Sequence, residues 1–190
     1  MPSDALSGLA ILLAAAYYFP SMAAGLKRRD FLFGRSLAVS VAMYATYAIF
    51  YAGIFHFHSQ PVPLPLAVAG VALCIAGVII HAEAIDALGD EYSAHNRAQG
   101  VRTVMHGPYS QVRHPIYSAA MLYFAGLALL LFSQFSLPLL LLVMAYLHWR
   151  IAVEERSLLG KFAGQYADYQ KRVPATIVQL AFRKVARLKN

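Results

Sequence analysis

The sequence predicts an all-α integral membrane protein with about five transmembrane helices, the last two forming a helical hairpin, plus a cytoplasmic C-terminal helical region. Two observations carry this prediction. Of the 190 residues, 59% are hydrophobic and only 13% are charged, where soluble domains run to about 25% charged. The charge is also confined to islands: Asp4, residues 27–35, residues 83–113 and the chain from Arg150 onward. Between them lie runs without Asp, Glu, Lys or Arg that are too long for the core elements of a soluble domain.

Crossing a bilayer takes about 20 apolar residues, and the first segment, residues 5–26, meets that length. It exceeds a signal-peptide core, and Lys27, Arg28 and Arg29 follow it rather than precede it, so it reads as a retained first helix. The charge-free run 36–82 holds two more helices, near 36–57 and 64–83, divided where Pro61, Pro63 and Pro65 at alternate positions cannot continue a helix. Gly70 and Gly77, two turns apart beside Ala69 and Ala76, form a small-residue stripe suited to close helix packing. Residues 83–113 are polar and mixed in charge, with Gly89, Gly100 and Gly107-Pro108 as punctuation. The next charge-free run, 114–149, is interrupted at 133–138, which gives hairpin arms near 116–132 and 138–157, each somewhat short for a full span unless tilted or partial.

Beyond Pro174, apolar Ile177, Val178, Ala181, Val185 and Leu188 alternate at helical spacing with Arg183, Lys184, Arg187 and Lys189. That pattern suits a basic interfacial helix or a plain positive tail at the membrane surface. Orientation follows from Lys27, Arg28, Arg29 and Arg35 between the first two helices, against no Lys or Arg between the second and third. The N-terminus is therefore expected outside, with residues 83–113 and everything after Arg150 cytoplasmic. The net charge of +7 sits beside apolar spans, which points to membrane lipids as partners and away from nucleic acid. Cys74 is the single cysteine, so neither an internal disulfide nor a cysteine metal cluster is expected.

Chemistry concentrates in two places. Residues 106–117 combine His106, Tyr109, Arg113, His114 and Tyr117 with Gly107, Pro108 and Pro115, a stiff segment with close backbone approach and aromatic faces that carry polar tips. The same residues also suit an interfacial aromatic belt. The second place begins at Arg150 and Glu154, four apart and so on one helix face, followed by Glu155, Leu158, Phe162, Tyr166 and Tyr169. Charge at the margin of a spanning helix is costly unless paired or wet. The hairpin brings both clusters together as a guanidinium, two carboxylates, a histidine and several tyrosines, a pocket suited to a zwitterionic, partly aromatic cofactor. A metal site is not expected, because His81, His95, His106, His114 and His148 lack ligand spacing and no HExxH or cysteine pair accompanies them. The chain also lacks GxGxxG, a P-loop and GxSxG.

The order Gly107-Pro108-Tyr109, Arg113-His114-Pro115, Tyr117, then Arg150, Glu154-Glu155, Leu158, Phe162, Gly164, Tyr166, Tyr169 and Arg172-Val173-Pro174 resembles the isoprenylcysteine carboxyl methyltransferase family and the related phospholipid N-methyltransferases. It spans roughly residues 85–174. The resemblance implies an S-adenosylmethionine-dependent membrane methyltransferase with a lipophilic or lipidated acceptor bearing a carboxylate or amine. It implies that Val104, Gly107, Tyr109, His114, Pro115 and Tyr117 line the cofactor, that Glu155 and Tyr169 close it, and that Arg150 and Glu154 lie at the reacting groups. Residues 1–83 would then be the anchor and the lipid-substrate side, and residues 84–190 the cofactor-binding catalytic region, including the hairpin at 116–157. One departure concerns the substrate: Val101 stands where the prenylcysteine enzymes usually carry a histidine. A sterol-type membrane reductase using NADPH shares a similar C-terminal architecture, but Glu154-Glu155 with Leu158 favours the methyltransferase; a non-catalytic relative is the remaining alternative. The first three helices read as ordinary membrane filler, so no acceptor-specifying residue stands out in them.

Overall fold

A computed structural model describes residues 3–28, 37–57, 61–89 and 104–174. Among these are five α-helices: α1 (Ser3–Arg28), α2 (Leu37–Phe57), α3 (Leu64–Leu88), α4 (Pro115–Leu130) and α5 (Ser136–Arg172). A single 3-10 turn, Gly107–Ser110, precedes α4. Three segments are long and apolar enough to cross a membrane, Asp4–Ala24, Leu64–Leu88 and Ser136–Phe162, and the shorter apolar helices Val41–Phe57 and Pro115–Leu130 accompany them. The protein is thus a helical membrane protein. Arg29 and Arg35 of the basic loop, the polar stretch 90–103 including Val101, and the basic tail 175–190 lie outside the described residues.

Local chemistry sets the boundaries. Helix α3 starts with Pro65 in its first turn, where a missing N–H costs nothing, and the N–H groups of Leu66 and Ala67 donate to the Pro63 carbonyl. It continues past residue 83 to Leu88, because Ala84, Ile85 and Leu88 are buried. Gly89, at φ +48°, ends it and donates to Asp86 O. The hairpin turn is closed by serines: Ser133 N donates to Ser136 Oγ at 2.8 Å and Ser136 Oγ donates to Leu131 O at 3.3 Å. The largest departure from the sequence expectation is α5, which does not stop near 157 but runs 37 residues to Arg172. At Phe162 its backbone leaves helical geometry (φ −125°, ψ 33°) and then resumes it.

Helices α3 and α4 form the most closely packed pair, with α1 on α3, α2 on α5, and the 3-10 turn against α3. Their backbones touch: a Cβ on Gly126 would stand 2.6 Å from Cys74 Sγ and 2.6 Å from Gly70 O, and one on Gly77 would stand 2.8 Å from Ala119 O. The stripe anticipated at Gly70 and Gly77 is therefore a backbone contact, and Gly126 supplies its other half. Phe124 packs beside it, edge-on to Phe50 at 4.9 Å. Ile11, Leu12, Phe19, Val68, Ile75, Ile79, Leu137 and Leu141 are exposed on the bundle, an apolar exterior that lipid covers.

Gly126→Ala is expected to destabilise the detergent-solubilised protein by about 1–3 kcal/mol, because the backbones must separate. Gly160→Ala, where an added Cβ meets nothing within 4 Å, should be neutral or stabilising by up to about 1 kcal/mol. Thermal unfolding followed by circular dichroism separates the two, and equal melting temperatures for both variants would refute the contact.

Candidate functional site

At the end of the bundle where α3 finishes and α4 begins, the chain makes a tight bend. Gly107 sits at φ +57°, a backbone conformation costly for a side chain, and a Cβ there would also lie 3.1 Å from Ala87 Cβ. Pro108 is the second residue of the 3-10 turn, and Ser110 Oγ closes the turn by donating to Gly107 O at 2.7 Å. Tyr109 is thereby buried against Ala84 and Leu88, with Val104, Ala87 and Ile116 packed around them. His114 then caps α4, Pro115 opens it, and both are buried. Ser118 Oγ donates to the His114 carbonyl at 3.0 Å, which fixes that turn.

Across from this bend stands the polar stretch of α5, and the two are joined by charge. Arg113 Nε donates to Glu155 Oε1 at 2.8 Å, while His114 Nε2–H donates to the same oxygen at 3.2 Å. A carboxylate only accepts, so the Nε2 tautomer or the imidazolium is required. Glu155 Oε2 receives a longer contact, 3.5 Å, from Gln170 Nε2. Arg113 Nη1 also donates to Val173 O at 2.8 Å and so binds the far end of α5.

One residue earlier on α5, Glu154 Oε2 accepts from Tyr117 OH at 2.6 Å. Arg150 Nη2 lies 3.4 Å from Tyr117 OH and 3.8 Å from Glu154 Oε2, with the Arg150 and Glu154 side chains only 7% and 12% exposed. Arg150 Nε is buried and has no hydrogen-bond partner among the described residues.

The third junction depends on the run of α5 past Phe162. Tyr169 OH donates to Tyr109 O at 2.7 Å, and Tyr166, Tyr169 and Val173 form a small buried cluster against Met105, Leu158 and Phe162. Burial pushes the Tyr169 hydroxyl up to about 12, with Arg113 pulling the other way, so it stays a donor at neutral pH. Burial and the Glu155 carboxylate raise Tyr166 as well, and its hydroxyl has no partner among the described residues.

All ten sequence-predicted residues therefore meet at one place. Arg150, Glu154 and Tyr117 make one group, Glu155 and His114 a second, Tyr109 and Tyr169 a third, while Val104, Gly107 and Pro115 shape the backbone around them. Arg113, Gln170 and the Val173 carbonyl belong to the same hydrogen-bond network, and Tyr166 packs beside it, without being among those ten. Arg113 and Tyr166 stand inside the motifs and could have been included; Gln170 and a backbone carbonyl carry no sequence signal. A guanidinium with spare donor capacity beside two carboxylates and buried tyrosines can bind an anion, hold an ammonium or hydroxyl group, and face a cation with an aromatic ring.

A family model described as Phospholipid methyltransferase matches residues 66–165. The chain is 26% identical over 148 residues to the Protein-S-isoprenylcysteine O-methyltransferase of Tribolium castaneum, covering 76% of this chain and 53% of that protein. It is 29% identical over 112 residues to Protein-S-isoprenylcysteine O-methyltransferase B of Arabidopsis thaliana, covering 57% of each. The chain spans about half the length of the curated relatives it matches.

Replacing Glu155 by Ala leaves Arg113 without its carboxylate, a loss of about 3 kcal/mol for a largely buried pair. Hydrogen exchange at residues 166–173 should then speed up at least about tenfold while α4 stays protected. Unchanged exchange there would show that Glu155 does not hold the end of α5.

Proposed function

The chain belongs to the phospholipid methyltransferase family, and from that premise we propose that it is an S-adenosylmethionine-dependent membrane methyltransferase whose acceptor is lipophilic and ends in a carboxylate or amine. The observation that carries this reading is the Arg150 group. A buried guanidinium held by Glu154 and Tyr117, with Nε unpartnered among the described residues, has a donor that a bound anion satisfies. The names of the two relatives make the carboxylate of a prenylated cysteine the first acceptor to test.

The residues present fit the donor. Glu155 Oε2, which receives a long contact from Gln170 Nε2, and the Tyr166 hydroxyl offer polar contacts for ribose hydroxyls or an ammonium. Val104, Gly107, Tyr109, His114, Pro115 and Tyr117 would wall that molecule, with Glu155 and Tyr169 closing it. When bound, the donor supplies an electrophilic methyl on a sulfonium, and displacement there forms an O–CH3 or N–CH3 bond as the C–S bond breaks.

The protein's own part is positioning, which can account for much of a rate enhancement without covalent help. Arg150 would hold an acceptor carboxylate in line, its side chain kept in one orientation by Glu154. With an amine acceptor, Glu154 would take the proton. Tyr117 OH, donating to Glu154, keeps that carboxylate in place. In this arrangement α1–α3 serve as anchor and acceptor side, the region from residue 84 serves the donor, and the basic residues between the first two helices support a cytoplasmic location for the site.

Incubating purified protein and native lipid extract with methyl-labelled S-adenosylmethionine is expected to label a lipophilic fraction. Arg150→Ala and Glu154→Gln should each lower that transfer about 100-fold or more, with the circular dichroism spectrum intact. Near-normal turnover in either variant would remove that residue from the mechanism, and a wild type that binds NADPH in preference to S-adenosylmethionine would overturn the reading.

A further inference from the structure

Polar chemistry within the spanning helices is not confined to the site above. His81, near the C-terminal end of α3, is only 5% exposed. Its Nε2 is 2.7 Å from Ser21 Oγ of α1. Its ring packs against Tyr17 of α1 at 4.5 Å, and Tyr17 stacks in turn on Tyr123 of α4 at 4.2 Å and 14°. Tyr123 OH accepts from Tyr51 OH of α2 at 3.1 Å, and Tyr51 OH lies 3.4 Å from Tyr18 OH, on a residue that is 36% exposed on the bundle's outer face. Four helices thus contribute to one polar aromatic layer that reaches from the lipid-facing surface to a buried imidazole.

The imidazole is unfinished. His81 Nδ1 is buried and has no hydrogen-bond partner among the described residues. Whichever ring nitrogen carries the proton, Nδ1 keeps one unused function, as donor or acceptor, and leaving it so inside an apolar bundle costs about 1–3 kcal/mol. Ionisable side chains inside spanning helices are rare and are candidate functional sites.

Depth links this layer to the site. The antiparallel contact of Gly77 with Ala119 and Tyr123 puts His81, one turn further along α3, level with the first turns of α4. There Tyr117 meets Glu154 and Arg150. An acceptor whose reacting end lies at Arg150 would have its adjoining groups at this depth.

We infer that His81, oriented by Ser21, is a binding residue for the acceptor: its Nδ1 hydrogen-bonds an uncharged polar group, such as an amide, next to the acceptor's lipid chain. An amide carries both N–H and C=O and satisfies Nδ1 in either tautomer, and a neutral group avoids the cost of charge at that depth. This inference rests on the methyl-transfer reading for the existence of an acceptor, but its test needs no turnover.

The probe is tritiated N-acetyl-S-farnesylcysteinamide, which has no carboxylate to methylate, and the control is tritiated methyl farnesyl sulfide, which has the chain without the amides. Both are titrated against full-length protein in nanodiscs. His81→Phe should weaken saturable binding of the amide about tenfold, leave the sulfide unchanged and leave the S-adenosylmethionine Kd unchanged. His81→Gln, which restores a hydrogen-bonding group, should recover most of the loss. Equal amide binding by wild type and His81→Phe, absence of saturable amide binding by the wild type, or parallel weakening of both probes and the donor would each overturn the inference. A wild type that binds the amide through His81 but no S-adenosylmethionine would overturn the methyl-transfer reading alone.

Discussion

A carboxylate at the edge of a bilayer has to be met by nearby charge or hydrogen-bond donors, and Glu155 is met by two neighbours at once. Arg113 Nε and His114 Nε2 both bond its Oε1, at 2.8 and 3.2 Å. Those two donors immediately precede α4, whereas Glu155 lies well along α5, so this one oxygen joins the two ends of the hairpin. Arg113 extends the tie to the Val173 carbonyl, which holds α5 beyond its irregular point at Phe162. The position one residue earlier on α5 then falls opposite Tyr117, and the group of Tyr117, Glu154 and Arg150 follows from that register. Removing either partner of such a pair leaves an uncompensated charge, which makes the tie costly to break.

The clasp needs a rigid support, and the contact of α3 with α4 supplies it. Backbone meets backbone at Gly70, Gly77 and Gly126, so the two helices cannot slide without a clash or a void. In lipid, where burial from water does not drive helix association, this close fit and the thiol contact of Cys74 with the Tyr123 carbonyl hold the pair. The 3-10 turn rests on the last turn of α3 through Tyr109, Ala84 and Leu88. The support, the bend and the clasp are therefore continuous.

The same support carries the layer of Tyr17, Ser21, His81 and Tyr123. Its residues come from α1, α3 and α4, joined by Tyr51 of α2, and each of them read singly is an unremarkable member of an apolar helix. Together they bring hydrogen-bonding capacity to the depth at which α4 begins. Among the described residues, Arg150 Nε and Tyr166 OH in the candidate site and His81 Nδ1 in this layer are buried without a hydrogen-bond partner.

The sequence by itself determined the membrane helices, because charge-free runs and proline breaks are local properties that hydrophobic solvation acts on directly. It also made polar side chains among apolar ones conspicuous, and Tyr109, His114, Tyr117, Arg150, Glu154, Glu155 and Tyr169 converge; Val104, Gly107 and Pro115, named through the family resemblance, lie beside them. Other features were decided only by the tertiary structure. Helix α5 runs on to Arg172 because Tyr166, Tyr169 and Val173 find a buried place against Met105, which no local pattern announces. Glu155 takes Arg113 and His114 while Glu154 takes Tyr117, a choice that depends on the rotation of α5 about its axis. His81 acquires Ser21 from a helix sixty residues away. Hydropathy and spacing act within a few turns of one helix, whereas hydrogen-bond partners are set by how separate helices are rotated and offset, and that information exists only once they have packed.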